Sequence, residues 1–178
     1  MQDPEEHLPL PRDQASSVKK AIHKIRNATV EHLYFFKKGK QIRRFQGEYN
    51  NVRISDKYLY EINNSSIVHN HPQGSSFSIE DVVGLIKYNA AECLLVTETY
   101  IYQLTRPKLG WDIDVESAEF MEKYNACKAI ADAELNKLVS SNNLTQAEKE
   151  IEIIHYIWLL FFTQLNNISY VRKKIEEF

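Results

Sequence analysis

Two histidines stand two residues apart in the stretch Ile67-Val-His-Asn-His-Pro-Gln-Gly-Ser-Ser-Phe-Ser-Ile-Glu-Asp81. At the end of a β-strand, that spacing turns His69 and His71 to one face, where both imidazoles can meet one metal ion. Pro72 and Gly74 then turn the chain. Asp81, in the first turn of a helix opened by Ser78, can return a carboxylate to the same point. Two histidines and one carboxylate suit a catalytic Zn2+, with the fourth position left for water. The ion lowers the pKa of that water toward neutrality, and a general base is then needed nearby. Glu31 is the candidate. It shares a strand face with Leu33 and Phe35, and on an apolar side its carboxyl is pushed up toward the working range of a base. Ser78 is placed to hydrogen-bond a developing oxyanion.

Each residue also has a plainer reading on its own. Ser78-Ile-Glu-Asp81 has the form of a helix capping box, a role compatible with the other. An isolated H-x-H is most often a surface loop, and a lone strand Glu is most often salt-bridged. His7, His23, His32 and His155 read as surface or packing residues. Lys37, Lys38, Lys40, Arg43 and Arg44 form a basic hairpin, read as a solvated turn because the net charge is −2. His69-Asn70-His71 spells HNH, but nucleases of that name disperse the three residues over a hairpin and a helix.

The elements that position these residues are legible in outline. Val18, Ile22 and Ile25 give one face of a short helix within Asp13–Asn27. Thr29–Phe36 and Gln41–Gln46 read as a hairpin about Lys37-Lys-Gly-Lys40. Val52–Ile62 reads as a strand end and a helical turn. Ile67–His69 is a short strand, residues 70–77 a polar loop, and Ser78 the start of a helix. Cys93–Val96 is continuously apolar, hence a strand buried on both faces, and Thr99–Leu104 pairs with it. Beyond Gly110 there is no Gly or Pro. Asp112 or Asp114 is expected to cap a long helix with a stripe at Phe120, Tyr124, Cys127, Ala131, Leu135 and Leu138. Thr145-Gln-Ala-Glu148 opens a second helix to about Leu165, with the run Ile157–Phe162 in its core. The two are expected to pack as an antiparallel hairpin.

A Glu on an early strand, then H-x-H-P at a strand end, then Ser and S-x-x-D opening a helix, resembles the JAMM motif of the JAB/MPN metalloprotease superfamily. The resemblance covers about residues 18–107. It implies Glu31 as the base, His69, His71 and Asp81 as zinc ligands, and Ser78 as the oxyanion residue. The usual motif has seven residues between the second His and the Ser. Here there are six, Pro72 to Phe77, and the string HNHPQGSSFS looks like that of small prokaryotic and phage- or mobile-element-associated members. The implied fold is α+β: a mixed, mostly antiparallel sheet flanked by helices in a cytidine-deaminase-like core, here followed by a helical hairpin. The implied activity is zinc-dependent hydrolysis of a peptide or isopeptide bond in a peptide or protein substrate. The substrate would lie as an extended strand along a sheet edge near the His loop.

Composition narrows the alternatives. Of 178 residues only five are Gly and five Pro, under half of the average usage of roughly 12%. That argues against linker-like, collagen-like and turn-dense all-β classes. Residues 1–12 read as a loose arm, 13–111 as the core and 112–178 as a helical extension. Cys93 and Cys127 read as buried free thiols of a reducing compartment, and the expected location is the cytoplasm. The longest apolar run, Tyr156–Phe162, is far short of a membrane span. A catalytically silent interaction module is the first alternative, with the C-terminal helices as a site of partner docking or homo-oligomerisation. A nucleic-acid-linked accessory role through the basic hairpin is the second and the less favoured.

Overall fold

The computed structural model describes residues 17–165 and 167–177; the arm expected at 1–12 lies outside the described residues. Helix α1 (Val18–Ile25) starts where the Ser17 hydroxyl accepts the Lys20 N–H, and it buries Ala21, Ile22 and Ile25. Aromatic residues then favour β1 (His32–Lys37). Lys38 and Gly39 take left-handed backbone angles of +50° and +71°. This two-residue turn matches the strand twist and returns the chain as β2 (Lys40–Gln46). A single-turn helix α2 (Asp56–Leu59) precedes β3 (Ser66–Asn70). Helix α3 (Ile79–Lys87) is the crossover to β4 (Glu92–Val96), which runs parallel to β3. Then follow β5 (Tyr100–Thr105), α4 (Ala118–Ser140), α5 (Gln146–Thr163) and β6 (Ser169–Lys174).

The strands form one six-stranded sheet in the order β2-β1-β3-β4-β5-β6. Only β3–β4 is parallel; every other neighbouring pair is antiparallel. The fold is therefore α+β with a mixed, mostly antiparallel sheet. Alternation along the strands divides the core in two. Tyr34, Phe36, Val68, Leu94 and Val96 pack with α1 on one face. Phe35, Ile67, Cys93 and Leu95 face the other way and pack with Val82, Leu85 and Ile86 of α3 and with Phe120, Trp158 and Phe162 of the long helices. Helices α4 and α5 pack on each other as the expected hairpin.

Three expectations for the C-terminal third change. The N-cap of α4 is neither Asp112 nor Asp114 but Ser117, whose hydroxyl accepts the Phe120 N–H. Asp114 acts one step earlier, its carbonyl accepting from the Ser117 hydroxyl. The second change concerns the stretch expected to be helical throughout. Its last part is β6, which pairs with β5 from Tyr100↔Lys174 to Thr105↔Ser169 and extends the sheet. The buried stripe of α4 also ends at Leu135; Leu138 is exposed.

Trp158 is wholly buried, and its indole N–H donates to the Phe77 carbonyl at 2.7 Å. Trp158→Phe keeps an aromatic ring but leaves that carbonyl without its donor. The expected loss in urea unfolding is about 1–3 kcal/mol, the penalty for an unsatisfied buried acceptor.

Candidate metal centre

Strand register brings the first two groups together. Leu33 of β1 stands opposite His69 of β3. One step outward on the same face, the same antiparallel count sets Glu31 opposite His71. Glu31 lies just before β1, yet its N–H donates to the Glu48 carbonyl at 2.7 Å and its carbonyl accepts from Gly47 at 2.8 Å. The ladder thus runs one residue past the strand end. At Gly47 a Cβ would overlap the Asn51 carbonyl, so only glycine lets the 48–52 loop fold this close.

Asn70 was not singled out from the sequence, and it fixes the same corner. It is buried between the histidines. Its Oδ1 accepts the His32 N–H at 2.8 Å and its Nδ2 donates to the Val30 carbonyl at 3.1 Å. These bonds bracket Glu31 on both sides. A buried side-chain amide of this kind joins residues 40 apart in sequence, and no local pattern signals it.

The structure brings His69, His71 and Asp81 into one group whose ligand atoms all lie within 4.8 Å of one another. The two Nε2 atoms are 3.3 Å apart. Asp81 Oδ1 is 3.7 Å from His69 Nε2, and Asp81 Oδ2 is 3.4 Å from His71 Nε2. Tetrahedral zinc with bonds of about 2.0–2.1 Å requires donor separations of about 3.3–3.4 Å. The two Nε2 atoms already stand at that separation, and one Asp81 oxygen joins them within 4.8 Å, so the group could hold one such ion after a small shift of the carboxylate. Glu31 Oε1 lies 3.8 Å from His71 Nε2, beside the group.

Both imidazoles are oriented from behind, which is the arrangement that leaves Nε2 free for a metal. His71 Nδ1 lies 3.3 Å from the Ser75 carbonyl and His69 Nδ1 lies 3.5 Å from the Cys93 thiol. Cys93 reaches His69 because β4 runs parallel to β3 and places the two side chains diagonally on one face. Asp81 is held by the capping box of α3. Its Oδ2 accepts the Ser78 N–H at 2.7 Å, and its own N–H donates to Ser78 Oγ at 3.1 Å. Ser78 uses its oxygen as an acceptor there, which leaves its hydroxyl proton to donate elsewhere.

Electrostatics follow from this packing. Burial raises the Glu31 carboxyl above its ordinary range, with the charge of Asp81 adding and those of His71 and His69 opposing. Burial works against the charged form of His71, but the Asp81 hydrogen bond and the charges of Asp81 and Glu31 outweigh it and raise the imidazole. Burial likewise opposes ionised Asp81, yet His69 and His71 hold its carboxyl well below the usual value. Burial drives the Cys93 thiol well up, as do the charges of Asp81 and Glu92, so it sits as a neutral thiol against His69.

The loop between His71 and Ser78 is pinned from the far side. Gly74, at φ +85°, closes a turn in which its N–H donates to the His71 carbonyl. Phe77 is fully buried. Ser76 Oγ meets the Tyr170 hydroxyl at 2.8 Å, and that hydroxyl meets His155 Nδ1 at 2.8 Å. Strand β6 and helix α5 thus hold the metal-side loop. Burial, helped by the charge of Arg172, pushes the His155 imidazole down to about 4.

The cleft in front of the group has a volume of about 580 Å³ and is lined by Glu31, His71, Ser75, Ser78 and Asp81 together with Asn50, Asn51 and Arg53. All five residues singled out from the sequence therefore meet at one place. The basic hairpin does not join them: Arg43 is paired with Glu61. Among the described residues no helix is long and apolar enough to cross a membrane. No protein-family model, curated protein or solved structure matches the chain.

Two outcomes are expected. Wild-type protein purified with zinc in the buffer should carry one zinc by elemental analysis, and His71→Ala none; zinc-free wild type would refute the site. His155 contributes stability that is lost as pH drops from 6.5 to about 4, because an unfolded histidine takes up a proton in that window while folded His155 does not. His155→Gln, which cannot be protonated, should flatten that part of the thermal-melting pH profile relative to wild type.

Proposed function

We propose that the chain is a zinc-dependent hydrolase of peptide or isopeptide bonds, with a JAB/MPN-like core in residues 13–111. The single observation that carries this reading is the His69–His71–Asp81 group, whose ligand atoms lie within 4.8 Å of one another with the two Nε2 atoms 3.3 Å apart, beside a carboxylate that is not part of it. His69, His71 and Asp81 would hold the ion. When bound, such an ion acidifies a water and polarises a carbonyl.

The chain's own groups supply the rest. Glu31, whose carboxyl is raised by burial, accepts a proton from the attacking water and returns it to the leaving amine. Ser78 keeps a hydroxyl proton to donate to the oxygen on which negative charge develops. Asn70 acts through Glu31 as a positioning residue, since it clamps the backbone on both sides of it. The extended substrate lies in the polar cleft, whose lining also includes Asn50, Asn51 and Arg53.

The deciding comparison is Glu31→Gln against wild type on a quenched-fluorescence peptide library and a matched lysine-isopeptide library. Zinc content should stay at the wild-type level while hydrolysis falls by about 10²–10⁴-fold, the usual contribution of a positioned base. Undiminished hydrolysis in the variant would remove Glu31 from the mechanism.

A further inference from the structure

A second cavity of about 180 Å³ opens beside the metal group. His69 and Asp81 line it, but the rest of its wall is mainly apolar: Leu33, Phe35 and Ile67 from the sheet, Leu59 and Ile62 from around α2, and Tyr88 after α3. Val52, Glu80 and Asp81 line both this cavity and the polar cleft, so the two spaces adjoin. Its size suits one side chain rather than a whole ligand, since drug-sized sites run to about 300–1,000 Å³. An apolar cavity of about 150 Å³ takes a benzene ring.

Gly84 keeps this space open. It sits inside α3, where glycine is the poorest helix former after proline. It lines the cavity, and a Cβ added there would meet no atom within 4 Å. A side chain at 84 can therefore leave the helix without a clash at its Cβ and extend into the cavity that Gly84 lines.

We infer that this cavity is a specificity pocket that receives one medium-sized apolar side chain, of the leucine or methionine class, from the residue next to the bond being cut. The inference rests on the hydrolase reading of the same site. It narrows the substrate class to peptides with an aliphatic residue at that position. Acidic and amide side chains would lose their water against a wall of Leu, Ile and Phe and are excluded.

The probes are N-acetyl-leucinamide and N-acetyl-glycinamide, titrated into the full chain and followed by amide NMR. The leucine probe should shift the signals of Gly84, Leu85 and Cys93 saturably and bind at least ten-fold tighter than the glycine probe. Gly84→Leu should abolish the difference, and in the peptide library it should lower cleavage beside Leu and Met at least ten-fold. Equal binding of the two probes to wild type, or shifts confined to another surface, would overturn the pocket, and this comparison needs no variant to fold. The binding comparison requires neither cleavage nor the ion. Failure here therefore leaves the zinc content and the effect of Glu31→Gln untouched, and the two readings can fail separately.

Discussion

Leu33 faces His69 across β1 and β3, and from that pairing the rest of the site is counted off. It sets Glu31 against His71. It also sends His69 to the face that carries Ile67, Cys93 and α3. A slip of one residue would turn each of these side chains to the opposite face, among Tyr34, Phe36 and Val68. Such a slip is opposed by two cores at once. The aromatic pair Tyr34 and Phe36 packs toward α1 while Phe35 packs toward α3, so neither face tolerates exchange. Asn70 adds a polar lock at the open end of the same pairing, where no further strand residues remain to hold it.

The loop that follows is short and belongs to no strand itself, yet it must deliver Ser78 and Asp81 to the histidines. It does so because its inner side is anchored to the C-terminal third. Phe77 fills the core, Trp158 takes its carbonyl, and Ser76 meets Tyr170. The six-residue spacing between His71 and Ser78 is enough to bring Asp81 to 3.4 Å from His71. The helices after residue 112 are therefore a structural support of the candidate centre, whatever surface they also offer outward.

Local chemistry made some of this readable and not the rest. The His-x-His spacing, the Lys38-Gly39 turn and the two capping boxes are short-range signals, and each lies where its residues place it. Strand alternation put Glu31 on the face of Leu33 and Phe35, and the resemblance to the JAMM motif put it beside the histidines; the β1–β3 register that joins them was not legible. By contrast, β6 reads Ser-Tyr-Val-Arg-Lys-Lys. An edge strand buries so little that it needs no apolar run, and its pattern resembles a solvated tail. The cap at Ser117 competed with two nearby aspartates, and only the path of the chain decides among such candidates. Asn70 and Cys93 act across 40 and 24 residues. Their partners exist only once the sheet has formed.

Asp81 serves two masters. The same carboxylate that closes the first turn of α3 also faces both histidines. Its position is thus settled by helix formation before any ion arrives, and the ordering entropy of one ligand is spent during folding rather than at binding. The linkage runs both ways. An ion held there would also tighten the start of the helix, and a chain whose helix frays at Ser78 would lose one of the three candidate ligands.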